Sequence, residues 1–170
     1  MDFLELAKSR YSVRKFKKDL VDDATINQIL EAARIAPTAC NNQPIKIYVV
    51  KSDESKDRIH KCTGSHFDAP LFMVVCYDNK QCWSRPFDGK NSGDIDASIV
   101  ATHIILEAYS LGVGSTWVMH FDPSILIKEF NIPSNIIPVV LLPMGYPAQG
   151  DLPSVKHTTY KDINSIIEVI

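Results

Sequence analysis

The sequence predicts an α+β fold, a sheet covered by helices on both faces, and three observations carry that expectation. Helical and extended segments alternate along the chain. The stretch "PLFMVVCY" (70–77) is apolar on both faces, as a central strand has to be. The segment 94–111 is apolar around most of a helical circumference, which suits a helix buried on more than one side. With 170 residues, 45% hydrophobic and 22% charged, the chain reads as one domain, 1–170, able to bury a sizeable core.

The elements follow in order. Asp2 caps a short helix carrying Phe3, Leu4, Leu6 and Ala7. Asp22 or Asp23 caps a second, with Ile26, Ile29, Leu30 and Ala33 on one face, and it stops before Pro37. "IKIYVVK" (45–51) alternates like a half-buried strand and "SDES" closes it. A short helix over 55–62 is broken by Gly64, and the central strand 70–77 follows. Residues 79–93 form a long polar loop bearing Trp83, Arg85 and Phe87, either a functional lid or an insertion pinned by its aromatics. Helix 94–111 has one main polar stripe, Asp96, His103, Glu107 and Ser110; its apolar remainder suits a second subunit or the middle of a monomer. Gly112 and Gly114 end it, and "STWVM" (115–119) reads as a strand. Asp122-Pro123 opens a helix to about Phe130, and "PVVLLPMGYP" (138–147) is a buried strand broken at Pro143. The remainder is polar and extended, ending in an apolar "INSIIEVI".

Composition narrows the function classes. A net charge of −2 speaks against a general nucleic-acid binder. The longest apolar run, "IIPVVLLPM" (136–144), is shorter than the roughly 20 residues of a membrane helix. "MDFLELAKSR" lacks the basic-then-apolar pattern of a secretion signal, so a cytoplasmic setting is expected. Cysteines at 40, 62, 76 and 82 form no C-x-x-C pair, so neither a metal nor a disulfide is assigned.

Three stretches remain that structure alone does not explain. Six of the eighteen basic residues fall between Lys8 and Lys18 with no carboxylate among them, leaving twelve basic against twenty acidic elsewhere. This local charge surrounds "SRYSVRKF" (9–16). Arg10, Ser12 and Arg14 share one side of an extended chain, where guanidinium and hydroxyl groups could bind an anion such as phosphate. A solvated basic loop is the alternative. "APTACNNQP" (36–44) offers Thr38, Asn41, Asn42 and Gln43, either to a heteroaromatic ring or as a helix stop and turn. "LGVGSTWVMHFDP" (111–123) has glycines that would allow close approach to a planar ligand, although a lone G-x-G is weak. No dinucleotide fingerprint, P-loop or Ser/His/Asp constellation appears.

Taken in order, R-x-S-x-R, A-P-[ST]-x-x-N-x-Q-P, D-x-D-A…L-G-x-G-S-x-W and G-Y-P resemble the nitroreductase family of FMN-dependent oxidoreductases, over about Leu4 to Pro147. The resemblance implies a three-layer α/β/α fold around a central mixed, mainly antiparallel sheet. It implies FMN, with its phosphate on the segment of Arg10, Tyr11, Ser12 and Arg14. It further implies a homodimer with shared active sites, Pro37, Thr38, Ala39 and Asn41 arriving from the partner. Met119 and His120 match the positions that pass flavin N5, with the backbone N–H of His120 as donor and its imidazole as a candidate catalytic group. Near the C-terminus Tyr160 stands where the family places a phosphate-binding arginine; Lys161 is assigned that role, with Lys156 and His157 as alternatives. Ile45 replaces a common tryptophan. The implied activity is ping-pong hydride transfer from NAD(P)H to nitroaromatics, quinones or other electron-poor acceptors. A specialised reductase (enone reduction or dehalogenation), a non-catalytic FMN-binding storage or sensor protein, and a flavin-free phosphate binder are the rivals.

Overall fold

The computed structural model describes residues 2–170. Its sheet contains β1 (Ile45–Val50), β2 (Leu71–Asp78), β3 (Gly114–Ser115) and β4 (Ile136–Gly145), in the order β1-β2-β4-β3. Every named pair is antiparallel. Among the described residues the parallel component is one bridge, Ser12 to Ser115. The α-helices are α1 (Phe3–Ser9), α2 (Asp23–Ile35), α3 (Asp53–Cys62), α4 (Gly93–Ser110) and α5 (Pro123–Phe130).

Strand β2 shows why the layers form. Side chains alternate across a strand, so Leu71, Met73, Val75 and Tyr77 face one way and Phe72, Val74 and Cys76 the other. The first set packs with Ile29 and Ala33 of α2 and Ile104 and Ala108 of α4. The second packs with Ile59 of α3 and Leu126 of α5. Being apolar on both faces, β2 sits inside the sheet, and each fully buried large side chain contributes about 1.5–3 kcal/mol.

Local chemistry sets the helix ends. Asp2 accepts from the N–H of Glu5 while the Glu5 carboxylate accepts from the N–H of Asp2, a reciprocal cap for α1. Asp22 caps α2 through the N–H and hydroxyl of Thr25. "SDES", expected to close β1, instead opens α3: Ser52 is its N-cap, so the helix starts at Asp53. Asp122 accepts from the N–H groups of Ser124 and Ile125, and Asn131 ends α5 in the left-handed conformation.

Two strand expectations change. β4 continues through Pro143, which lies opposite the interruption between Ser115 and the Val118–Leu141 bridge; a missing N–H there breaks no ladder. Pro138 falls beside the register shift at Val75/Cys76, where a bulge also tolerates proline. The expected strand 115–119 is reduced to Gly114–Ser115 and that bridge.

The loop 79–93 is ordered as a hairpin-like excursion. Ser84 bridges Asn91, and the N–H of Ser92 donates to the Trp83 carbonyl at 2.9 Å. Its aromatics do not both pin it, because Phe87 is 95% exposed at the tip. No helix among the described residues is long and apolar enough to cross a membrane.

Candidate active site

The R-x-S-x-R segment is laced into the sheet edge. Beyond the Ser12–Ser115 bridge, the N–H of Val13 donates to the Ser115 carbonyl at 3.0 Å and that of Lys17 to Tyr146 at 2.8 Å. Gly114 makes this possible: a Cβ there would lie 2.5 Å from a methyl of the fully buried Val13. The second glycine of L-G-V-G thus serves this internal approach. Gly112 supplies the left-handed turn (φ 77°) that ends α4.

Threading 12–17 past β3 and the end of β4 holds the flanking side chains in place. The Arg10 guanidinium has no hydrogen-bond or ion-pair partner among the described residues. Arg14 spends one N–H on the Ser12 carbonyl at 3.2 Å. The Tyr11 ring stands edge-on to Tyr109 of α4 and to His157, both at 6.3 Å. Burial first, and then the carboxylate of Asp151, push the Tyr11 phenol above its ordinary pKa.

One residue beside this segment went unforeseen. Asp151 Oδ1 accepts the N–H groups of Arg14 and Lys15, at 3.3 and 3.1 Å, so a carboxylate from this chain already holds that stretch of backbone. Its other oxygen, Oδ2, is buried, and the carboxylate also faces the Tyr11 phenol. His157 is the C-terminal residue seated here, with Nε2 2.9 Å from the Lys8 carbonyl. Lys161, to which the resemblance assigned the phosphate role, is exposed, as is Lys156.

The loop 36–44 is held at the opposite end of α4. Asp96, 1% exposed, accepts the Ala39 N–H at 2.9 Å and the Ser92 hydroxyl at 2.6 Å. Asp96 therefore does not lie on a solvated stripe with His103, Glu107 and Ser110, as its helical angle suggested; it anchors this loop. Thr38 Oγ1 accepts the N–H of Gln43, and Asn41 Oδ1 accepts from the Gln43 amide. Cys40, Asn41 and Gln43 all have φ between 50° and 53°. Left-handed backbone at non-glycine residues costs of order 1–3 kcal/mol each and clusters at ligand clamps. Asp96 and Tyr109 are thirteen residues apart on α4, so about 20 Å of helix separates this loop from the Arg10–Arg14 segment.

Met119 and His120 follow the Val118–Leu141 bridge, both side chains exposed. The Thr63 hydroxyl donates to the His120 carbonyl. The N–H of His120 has no partner among the described residues, leaving a free main-chain donor. From Ser115, beside Ser12, to Val118 the chain advances on the order of 10 Å along β4. One subunit thus carries a basic anchor and a free N–H donor along the same sheet edge, and presents Pro37, Thr38, Ala39 and Asn41 elsewhere.

The helices on both faces of this antiparallel sheet define an α+β protein, and comparison with known proteins gives the family. The model of the nitroreductase family matches residues 7–73 and 66–146, and the chain belongs to that family. A nitroreductase family protein from Clostridium difficile 630 is 40% identical; the match covers 99% of this chain and 98% of that one, with a TM-score of 0.93. A relative in Methanothermobacter thermautotrophicus, provisionally named NADH dehydrogenase/NAD(P)H nitroreductase, is 33% identical over 157 residues, 88% of this chain and 80% of its own. The FMN reductase [NAD(P)H] of Bacillus subtilis is 26% identical over 155 residues, 81% of this chain and 62% of its own.

Proposed function

We propose that the protein is an FMN-dependent NAD(P)H oxidoreductase that reduces electron-poor acceptors such as nitroaromatics or quinones by a ping-pong mechanism. The observation that carries this reading is the pairing of an unpartnered Arg10 guanidinium with an unpartnered His120 N–H along one sheet edge. Family membership and the FMN and NAD(P)H named for a relative support it. The whole chain acts as one cytoplasmic FMN-binding domain.

The residues fit the cofactor. Arg10 and the Ser12 hydroxyl bind the terminal phosphate through charge-assisted hydrogen bonds. Arg14, one N–H already committed to Ser12, has others free for the phosphate or for the electron-rich edge of the ring. Tyr11, backed by Tyr109 and His157, forms an apolar flank. The His120 N–H would donate at N5, with Met119 beside it. When bound, FMN supplies the redox chemistry, accepting a hydride from NAD(P)H and passing it to the second substrate. No nucleophile–base constellation is needed. The chain's part is to orient, to place positive charge and to restrict water.

A second copy completes the site. Ile95, Ile99 and Leu106 leave an apolar stripe on the outer face of α4, and a groove of about 220 Å³ beside it is lined by Leu30, Ala33, Ile45, Ile47 and Val100. A homodimer that covers this face can bring the partner's loop 36–44 to the Arg10–His120 edge. An interface of that kind falls in the large, apolar, obligate class.

The test is the visible spectrum of the purified, FMN-reconstituted protein, titrated anaerobically with NADH and NADPH. A bound flavin that bleaches with reductant and recovers with a quinone is expected; a colourless protein after reconstitution overturns the reading. His120→Ala should retain flavin reduction, because the main-chain donor survives. A loss of about 10²–10⁴-fold confined to acceptor reduction in stopped flow would make the imidazole a proton donor.

A further inference from the structure

Outside the Arg10–His120 edge the fold builds one more cluster of ligand atoms. We propose that His60, His66 and Asp68 bind a single divalent transition-metal ion, with zinc the best match to the donor set. His60 closes the last turn of α3, and the other two lie on the link from α3 to β2. One ligand atom from each lies within 4.8 Å of the others. Cysteine spacing gave no hint of it, and H-x5-H-x-D is not a metal motif that sequence reading recognises.

The link is folded in a way that sequence preference alone does not explain. Phe67 and Asp68 are consecutive left-handed residues, with φ of 54° and 49°, and neither is glycine. This turn brings the Asp68 N–H to His66 Nδ1 at 3.1 Å and also sets Asp68 Oδ1 3.1 Å from the same nitrogen. The same nitrogen lies at hydrogen-bond distance from a main-chain N–H and from a carboxylate oxygen, so a cation seated here would meet an imidazole nitrogen and a carboxylate at once.

That cation is better a metal than a second proton. The His60 and His66 rings stack with centroids 3.9 Å apart and planes 25° from parallel, so charging both is unfavourable. Neutral imidazole is the form that coordinates metal. Coordination of one ion by both histidines requires a ring to turn out of the stack until the two nitrogens converge. Two imidazoles and one carboxylate select zinc or its late neighbours over magnesium and calcium, which prefer all-oxygen shells.

The surroundings agree. The cluster opens on a groove of about 410 Å³ that also holds Asp53, Asp57, Lys18 and Lys56. Lys56 is paired with Asp53 at 2.6 Å, and Asp57, one turn before His60, is balanced by Lys18, so the carboxylate of Asp68 supplies the local negative charge. His60 and Asp68 are exposed, so water can fill the remaining position of a three-ligand site. Neighbouring Cys62 is no competitor, because its thiol is buried and donates to the Arg58 carbonyl. A bound ion would also fix the link that carries Thr63, whose hydroxyl holds the His120 carbonyl.

The test is calorimetric titration of the purified full-length protein with Zn2+ near neutral pH, checked by competition with a chromophoric chelator. One ion per chain with sub-millimolar affinity is expected, undisturbed by excess Mg2+ and weakening as pH falls below about 6. His60→Ala and His66→Ala should each lower the affinity at least about tenfold, and Cys40→Ala should leave it unchanged. Circular dichroism shows whether each variant is folded, and the surface position of His60 makes its variant the safer comparison. Absence of saturable binding, or folded histidine variants that titrate like the wild type, would overturn the proposal. The outcome is independent of whether FMN binds.

Discussion

Replacing Asp96 of α4 by alanine should release loop 36–44 from its anchor. The carboxylate is 1% exposed and accepts two hydrogen bonds, from the Ala39 N–H at 2.9 Å and the Ser92 hydroxyl at 2.6 Å. Truncation strands both donors and opens a small void. Each buried donor left unpaired costs about 1–3 kcal/mol, and the hydroxyl can recover part by rotating, which suggests about 2–4 kcal/mol in all. For a chain of this length each kcal/mol lowers Tm by about 2–4 °C, so Asp96→Ala should melt about 5–15 °C below wild type. Asp96→Asn keeps an acceptor for the Ala39 N–H and lets Ser92 turn to accept from its amide, so it should lose less than half as much. Urea and thermal unfolding of both variants make the comparison. If Asp96→Ala lies within about 0.5 kcal/mol of wild type, the carboxylate does not anchor the loop.

Further outcomes follow from other contacts. Arg10→Ala should weaken FMN binding by roughly 10- to 150-fold, the worth of a charge-assisted phosphate contact of about 1.5–3 kcal/mol; an unchanged affinity in fluorescence titration removes Arg10 from the site. Gly114→Ala places a methyl 2.5 Å from the Val13 side chain, so it should destabilise by about 1–3 kcal/mol and loosen FMN, while a neutral effect would show that the edge has room. Cys76, its thiol pushed up to about 12 by burial, should resist alkylation in the folded protein at about pH 8 while exposed Cys40 reacts. Because the folded value exceeds the ordinary 9.0, the Cys76 contribution is complete below about pH 9 and is lost as pH rises towards 12; equal unfolding free energies across that window would contradict the burial.

Much of the fold was legible because single residues signal it. Asp2, Asp22 and Asp122 cap the helices their positions implied, and the two apolar faces of 70–77 placed β2 inside the sheet. Pro143 misled, since a proline breaks a ladder only where a partner needs its N–H. Whether a partner is there depends on β3, about thirty residues earlier. Ser52 misled differently, because a cluster that ends a strand can equally cap the next helix. In the site, the Arg10–Arg14 segment could be read from charge, but Asp96 could not. A helical wheel put Asp96 with the polar stripe, whereas its burial is decided by Ala39 and Ser92. Asp151 and the Thr63–His120 contact join residues 136 and 57 positions apart, beyond any local pattern.

The length of α4 between Asp96 and Tyr109 has a genetic consequence. In the proposed dimer each site draws its phosphate anchor from one chain and its loop from the other. Two chains, each crippled in a different one of these parts, would therefore repair one another when mixed. In the mixed dimer one site collects both lesions and the other collects none. Random pairing of equal amounts would leave about a quarter of all sites intact. Two inactive alleles expressed together could then support growth that neither supports alone, and two lesions at the same end of the helix could not.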